Sequence, residues 1–336
     1  MADIEIERRD GVARVVLNRP DALNALTLEM CLALDARLRE WQDDPGIAAV
    51  LVRGEGSRAF CAGGDVRRLY EERAGDYPRQ FYRAEYRLNA RLHRFSKPYI
   101  AFLDGIVMGG GVGVSVHGSH RIATEHTQFA MPETGIGLFP DVGGSYFLSR
   151  CPGSLGMYLG LTGTRLAAAD AIYCGIAQYA APAERWPALR GPASVQSIAQ
   201  PPARPPLARY RALIDRCFDK DSVEEIRAAL QAEQEPLATE TLAVLDAKSP
   251  TSLKITHRQI RSGRGLDFDS CMRMEWRMVN RVIAAHDFYE GTRAAIIDKD
   301  RQPRWQPARL EEVTEAEVAR YFAPLPGDEL QFDWER

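Results

Sequence analysis

The sequence predicts an α/β protein with a helical C-terminal region. Three observations carry this. Short, almost wholly apolar runs at 47–52 and 99–103 have the length and content of strands buried on both faces, as in a parallel sheet. Each run is followed by a glycine-rich loop and then by helical periodicity, so one local design occurs twice. Beyond residue 206 the apolar spacing is helical almost throughout.

In chain order, Ile4 and Ile6 alternate with acids, and a second apolar run follows Asp10-Gly11, predicting a β-hairpin. Asn18-Arg19-Pro20 ends it. Leu28, Cys31, Leu32, Leu34, Leu38 and Trp41 share a helical face, with Thr27 as N-cap and Asp43-Asp44-Pro45-Gly46 as the stop. The strand 47–52 leads through Ala62-Gly63-Gly64-Asp65 into a helix at 66–72, and a second helix spans 77–95. It carries Glu85 among Phe81, Tyr82, Tyr86 and Leu88; Arg83 and Arg87 are its available partners for an ordinary ion pair. The strand 99–103 leads into the cluster Gly109, Gly110, Gly111 and Gly113, with 112–118 expected as the first turns of a helix, and strand-like stretches follow at 120–124 and 128–131. Residues 180–206 are rich in Pro and Ala and read as a connector. The tail from Asp298 reads as extended. This gives an α/β part over 1–185, a connector at 186–206 and a helical region over 207–336.

Several function classes are excluded. The formal net charge of −3 offers no basic footprint for nucleic acid or an anionic membrane. No apolar run approaches the ~20 residues that span a bilayer. The first residues, MADIEIERRDG, read as neither signal nor transit peptide, so a cytoplasmic location is expected. Six scattered cysteines without C-x-x-C spacing read as buried thiols. His117 and His120 lack a suitable third ligand, so no metal site is expected. There is no G-x-S-x-G elbow for a Ser–His–Asp hydrolase and no P-loop or dinucleotide fingerprint in the glycine cluster.

The candidate chemistry lies in the two glycine loops and two acids. A glycine turn before a helix leaves backbone N–H groups uncovered, and these suit a phosphate or an oxyanion. Gly64 and Gly110 are the candidate donors, and the two loops could meet on one oxygen atom; two unrelated packing turns explain the same residues. Glu133 and Asp141 sit among Phe, Met, Pro and Gly, poor surroundings for a solubilising acid and good ones for an acid whose pKa is used. For Asp141 the plain alternative is an N-cap on a helix over 142–150.

Phe60-Cys61-Ala62-Gly63-Gly64-Asp65 and Met108-Gly109-Gly110-Gly111-Val112-Gly113 resemble the enoyl-CoA hydratase/isomerase (crotonase) superfamily. The block MGGGVGVSVHG…FAMPETGIGLFPDVGGSYFLSR resembles its 3-hydroxyisobutyryl-CoA hydrolase branch more closely, as do 249–254, 286–293 and Asp298-Lys299-Asp300. The resemblance runs from the first strand to about Phe332 and is weakest at 180–206. It implies a crotonase-like spiral of ββα units over 1–185. It implies an oxyanion hole from the N–H groups of Gly64 and Gly110, and CoA bound in a bent form with its adenine near Ala62, Gly63 and Asp65. Glu133 matches the catalytic acid shared with the hydratases, Asp141 the second acid of the hydrolases, and Glu85 a substrate-contacting acid.

One departure is informative. Hydratases of this superfamily carry a second catalytic Glu where this chain has Gly113. Hydration needs one group for the water and one for the α-carbon proton, so two-Glu chemistry cannot be assembled there. The expectation is hydrolysis of a short β-hydroxyacyl-CoA, 3-hydroxyisobutyryl-CoA first, with no cofactor, no nucleic acid and no membrane partner. No seam for a homo-oligomer is readable, which leaves that question open. Two alternatives stand beside it: an enoyl-CoA hydratase or isomerase using Glu133 alone, and a non-catalytic acyl-CoA-binding or RNA-binding homologue.

Overall fold

Asp10 and Gly11 are both left-handed, with φ of 52° and 75°. This is the geometry of a tight hairpin turn that matches strand twist. It pairs β1 (Ile4–Arg9) antiparallel with β2 (Val12–Leu17), Arg9 facing Val12. The structure, a computed structural model, describes residues 3–335.

The remaining strands are β3 (Ala49–Gly54), β4 (Ala59–Cys61), β5 (Tyr99–Leu103), β6 (Ile106–Met108), β7 (His120–Ala123), β8 (Gln128–Ala130) and β9 (Tyr179–Ala180). They form a six-stranded sheet in the order β1-β2-β3-β5-β7-β9 and a three-stranded sheet in the order β4-β6-β8. Every pairing after the first hairpin is parallel. Three times the chain lays one strand in the large sheet and the next in the small one, with helical structure before the following pair. This is the repeating ββα spiral that the resemblance implies. The stretches at 120–124 and 128–131 therefore belong to different sheets, and each pairs with its counterpart one turn earlier.

By contacts the chain divides into two units, one of 1–65, 84–130 and 165–208, the other of 66–83, 131–164 and 209–336. The first holds all nine strands. Its helix Leu28–Asp43 starts on Thr27, whose hydroxyl accepts from the Met30 N–H, and it buries Met30, Cys31, Leu34, Leu38 and Trp41. Leu32, assigned to the same face from the sequence, is half exposed. The Pro/Ala-rich stretch is not a bare linker. It contains short helices at Ala183–Ala188 and Pro192–Ile198, and Leu189, Val195 and Ile198 join Leu51, Ile100, Phe102 and Ile122 in one apolar cluster. Pro192 opens the second of these helices, where a missing N–H costs little, and Pro187 lies inside the first, a 3-10 helix.

The second unit is helical. Gly160 on the helix Leu155–Thr162 faces Ile260 on Pro250–Gly263, and a Cβ there would lie 2.6 Å from the isoleucine tip. On Phe268–Val282, Trp276 is fully buried, donates to the Asp328 carbonyl at 2.7 Å and lies under the Arg83 guanidinium. The tail is less extended than the sequence suggests. Thr314 and Glu317 form a reciprocal capping box that starts the helix Glu315–Phe322, and Leu330 and Phe332 are buried. All six cysteines are buried thiols. No helix among the described residues is long and apolar enough to cross a membrane.

Candidate active site

In the first unit, the segment after Pro20 sets the position of the Ala62–Asp65 loop. Leu23 and Asn24 are left-handed, and the buried Asn24 amide donates to the carbonyls of Glu55 and Ala59 while its oxygen accepts from the Arg19 N–H. The Ala62 N–H donates to Leu23, the Leu26 N–H to Gly63 and the Asp65 N–H to Leu26, all at 2.8–3.0 Å. Leu26 and Gly64 thus form a parallel bridge in which the neighbours of Gly64 carry the hydrogen bonds. The N–H of Gly64 points the other way, and among the described residues nothing accepts from it. Asp65, expected beside CoA, places its carboxylate 2.9 Å from Arg19, whose other guanidinium nitrogen donates to the Ala25 carbonyl.

Gly109 turns the end of β6 into a four-residue helix, Gly110–Gly113. The helix begins two residues before the expected start at Val112 and ends at Gly113. Gly110 opens it, so its N–H has no intrahelical partner. A Cβ added at Gly110 would lie 3.2 Å from the Gly64 nitrogen, 3.1 Å from Leu26 Cδ1 and 2.4 Å from Glu85 Oε1. A Cβ at Gly63 would lie 3.9 Å from the Gly110 nitrogen. The two loops therefore meet, with two backbone donors and the Glu85 carboxylate around one small space. Glu85 is 2% exposed, unlike a solvated helix residue, and Arg83 on the same helix pairs with Asp328. Gly113 is buried and contributes no side chain.

In the second unit, Glu133 opens the short 3-10 turn Glu133–Ile136. The turn is pinned: the Thr134 hydroxyl donates to the Leu161 carbonyl, its own carbonyl accepts from Ser249, and the Gly137 backbone lies against Asp287 too closely for any Cβ. Glu133 is buried, and its Oε2 has no hydrogen-bond partner among the described residues. Burial pushes its carboxyl well above the ordinary range, the charge of Asp141 adds to this, and Lys248 opposes it. Lys248 responds in kind: burial lowers its pKa and Glu133 raises it. Its ammonium lies 3.2 Å from where a Gly135 Cβ would be, so that glycine leaves room for it. Asp141 is 3% exposed and close enough to Glu133 to act on its charge.

Asp141 is not the N-cap of a helix. The helical stretch is Gly144–Phe147 followed by a 3-10 turn, and its N-cap is Gly143. The capping acceptor is Glu275, which takes the N–H groups of Gly143 and Ser145 at 2.8 and 2.9 Å and the Ser145 hydroxyl. Sequence reasoning missed Lys248 and Glu275. Glu275 has a trace in the sequence, being an acid between Met274 and Trp276 on the buried face of a strongly amphipathic helix. Lys248 has none.

The site residues thus fall into two groups: Gly64, Gly110 and Glu85 in the first unit, Glu133, Asp141 and Lys248 in the second. Among the described residues, no cluster of three or more His, Cys, Asp or Glu could hold a metal ion.

Comparison with known proteins gives the family. The profile of the enoyl-CoA hydratase/isomerase family matches residues 12–322. The mitochondrial 3-hydroxyisobutyryl-CoA hydrolase of Gallus gallus is 41% identical, and that of Homo sapiens 42%, each over 98% of this chain and 91% of the relative. Two crystal structures are similar throughout. A carnitinyl-CoA dehydratase from Mycobacterium thermoresistibile has a TM-score of 0.94 at 42% identity, covering 98% of this chain and 99% of its own. An enoyl-CoA hydratase from Rhodobacter sphaeroides has a TM-score of 0.92 at 42% identity, covering 98% and 100%. The chain belongs to the enoyl-CoA hydratase/isomerase (crotonase) family and stands there with the 3-hydroxyisobutyryl-CoA hydrolases.

Proposed function

We propose that this protein hydrolyses 3-hydroxyisobutyryl-CoA to 3-hydroxyisobutyrate and free CoA. The observation that carries the reading is the redistribution of acids. Gly113 leaves the second hydratase position without a side chain, while Glu133 and Asp141 are buried together in one unit. Hydration of a double bond lacks one of its two groups, whereas thioester hydrolysis needs a nucleophile, an oxyanion site and a proton for the thiolate.

The resemblance assigns both groups of residues to one thioester. The N–H groups of Gly64 and Gly110 receive the carbonyl oxygen and stabilise the charge that grows on it. Glu85, beside them, contacts the acyl group. The backbone of Ala62, Gly63 and Asp65 receives the adenine end of CoA, with Arg19 holding the Asp65 carboxylate. Glu133 either takes a proton from water as it attacks the carbonyl carbon or attacks that carbon itself, giving a mixed anhydride that water then opens. Both roles use the ionised carboxylate, which burial disfavours and Lys248 restores. Asp141 orients the β-hydroxyl or returns a proton to the departing CoA sulfur. Water, thioester and the chain's own acids balance the reaction, so no cofactor enters it.

The names of the two solved neighbours favour a second reading, hydration of an enoyl-CoA through Glu133 alone. Release of free thiol from 3-hydroxyisobutyryl-, 3-hydroxypropionyl- and acetyl-CoA tests the first reading. Release confined to the hydroxyacyl esters supports it; release from acetyl-CoA at the same rate removes the role given to the hydroxyl. The proposal includes a place in valine breakdown and a cytoplasmic location. The relatives are named mitochondrial, and cell fractionation separates the two.

A further inference from the structure

We infer that Glu275 is a positioning residue for this reaction, and that it acts by fixing the Asp141 loop through the backbone N–H groups of Gly143 and Ser145. The inference rests on the catalytic role proposed for Asp141.

The loop's conformation is one its sequence resists. Val142 has φ of 51°, a left-handed value that a β-branched residue adopts only under constraint. Gly143 follows at 87°. The N–H groups of Gly143 and Ser145 both reach the Glu275 carboxylate. The Ser145 hydroxyl supplies a third donor. From the other side, the Gln259 amide donates to the Pro140 carbonyl at 2.6 Å, and the Gly144 N–H donates to the carbonyl of Asp141 itself at 2.7 Å. Asp141 is thus bracketed: residues 140 and 143–145 are tied to two helices of the C-terminal region, more than a hundred positions away in the sequence.

The means are out of proportion to a mere helix cap. Glu275 has no exposed surface, and a buried carboxylate is expensive to keep. The helix it caps is four residues long. A Ser or Asn at position 143 would cap such a helix without burying a carboxyl group. What a local cap could not supply is a hold on the backbone that keeps Val142 left-handed, and Val142 is the residue next to Asp141. The geometry puts a cost at Glu275 and at Val142, and the carboxyl group between which they act on the chain is the one proposed to handle the substrate.

The test is a double-mutant cycle in the folded enzyme, read by thiol release from 3-hydroxyisobutyryl-CoA. Assayed at pH 9, above the value of about 8 to which burial raises Glu275, Glu275→Gln keeps the shape but exchanges one acceptor oxygen for an NH2 that faces an N–H donor. It is expected to lower kcat at least tenfold with KM changed less than threefold. In an Asp141→Asn background, the same change is expected to cost less than twofold further, because the group it positions is already gone. A residue that only supports the fold would cost the same factor in both backgrounds. Equal losses in the two backgrounds, or wild-type kcat in Glu275→Gln, would overturn the inference. Full activity in Asp141→Asn would instead remove the reading beneath it, and that result is seen before Glu275 is changed. If Glu275→Gln does not fold, Ser145→Ala removes one of the three donors and carries the same cycle.

Discussion

Replacing Gly110 by alanine adds one methyl group at the point where the two glycine loops meet. Its Cβ would lie 2.4 Å from Glu85 Oε1, where an ordinary carbon–oxygen contact is at least about 3.2 Å. The Glu85 carboxylate must therefore retreat by roughly 1 Å, and the methyl stands 3.2 Å from the Gly64 nitrogen, where an incoming oxygen would sit. Stability should barely change. Gly110 is helical without a left-handed φ, so alanine gains about 1 kcal/mol of helix propensity, against about 1–3 kcal/mol for crowding in a packed site. Activity should not survive, since loss of a single oxyanion donor costs a factor of about 10²–10³. We expect Gly110→Ala to fold, to melt within a few degrees of wild type and to lose at least that factor in kcat/KM. Gly111→Ala is the contrast: its Cβ would lie 2.1 Å from the Cys61 carbonyl oxygen, and a backbone atom cannot retreat. That variant should fail in folding. Gly110→Ala with kcat/KM within threefold of wild type would refute the oxyanion site.

Further expectations follow from the acids. Glu133→Gln should abolish thiol release while leaving the circular dichroism spectrum intact; a turnover near wild type would remove Glu133 from the chemistry. Lys248→Met should move the acid limb of the kcat/KM–pH profile to higher pH, because the Glu133 carboxylate loses the cation that opposes its burial; an unmoved limb would show that Lys248 plays no electrostatic part. Burial, ahead of all other causes, pushes Glu275 up to about 8. The folded state then holds a proton that the unfolded chain releases near 4.5. Its contribution to stability is full below about 4.5 and is lost as pH rises toward 8, a few kcal/mol in all. The melting temperature of Glu275→Gln should fall less steeply between pH 5 and 8 than that of wild type; parallel curves would mean that Glu275 titrates normally.

The sequence made the local design legible where chemistry is carried by backbone and pattern. Asp10-Gly11 and Thr27 act through neighbours a few residues away, and each forms as read; the two glycine junctions form as well, with a short strand, Ala59–Cys61, inside the first and the helix of the second starting at Gly110. Gly64 and Gly110 stand out in the sequence for the same reason, and the two loops that carry them meet. What stayed hidden acts over long separations. Glu275 reaches Gly143 across 132 positions, and no local signal could assign it to that backbone. The Pro/Ala-rich stretch misled because proline content was read as an absence of structure, whereas Leu189, Val195 and Ile198 supply the apolar contacts that fix its short helices. The capping reading of Asp141 failed because the acid that caps the helix comes from a distant one.

The most direct test of the central claim compares two thioesters with the wild-type enzyme: free thiol released from 3-hydroxyisobutyryl-CoA, and loss of enoyl absorbance from crotonyl-CoA. The account predicts rapid thiol release from the first and no hydration of the second. Hydration of crotonyl-CoA with no thiol released from the hydroxyacyl ester would contradict it, and would mean that Glu133 alone serves a hydratase despite the bare position at Gly113.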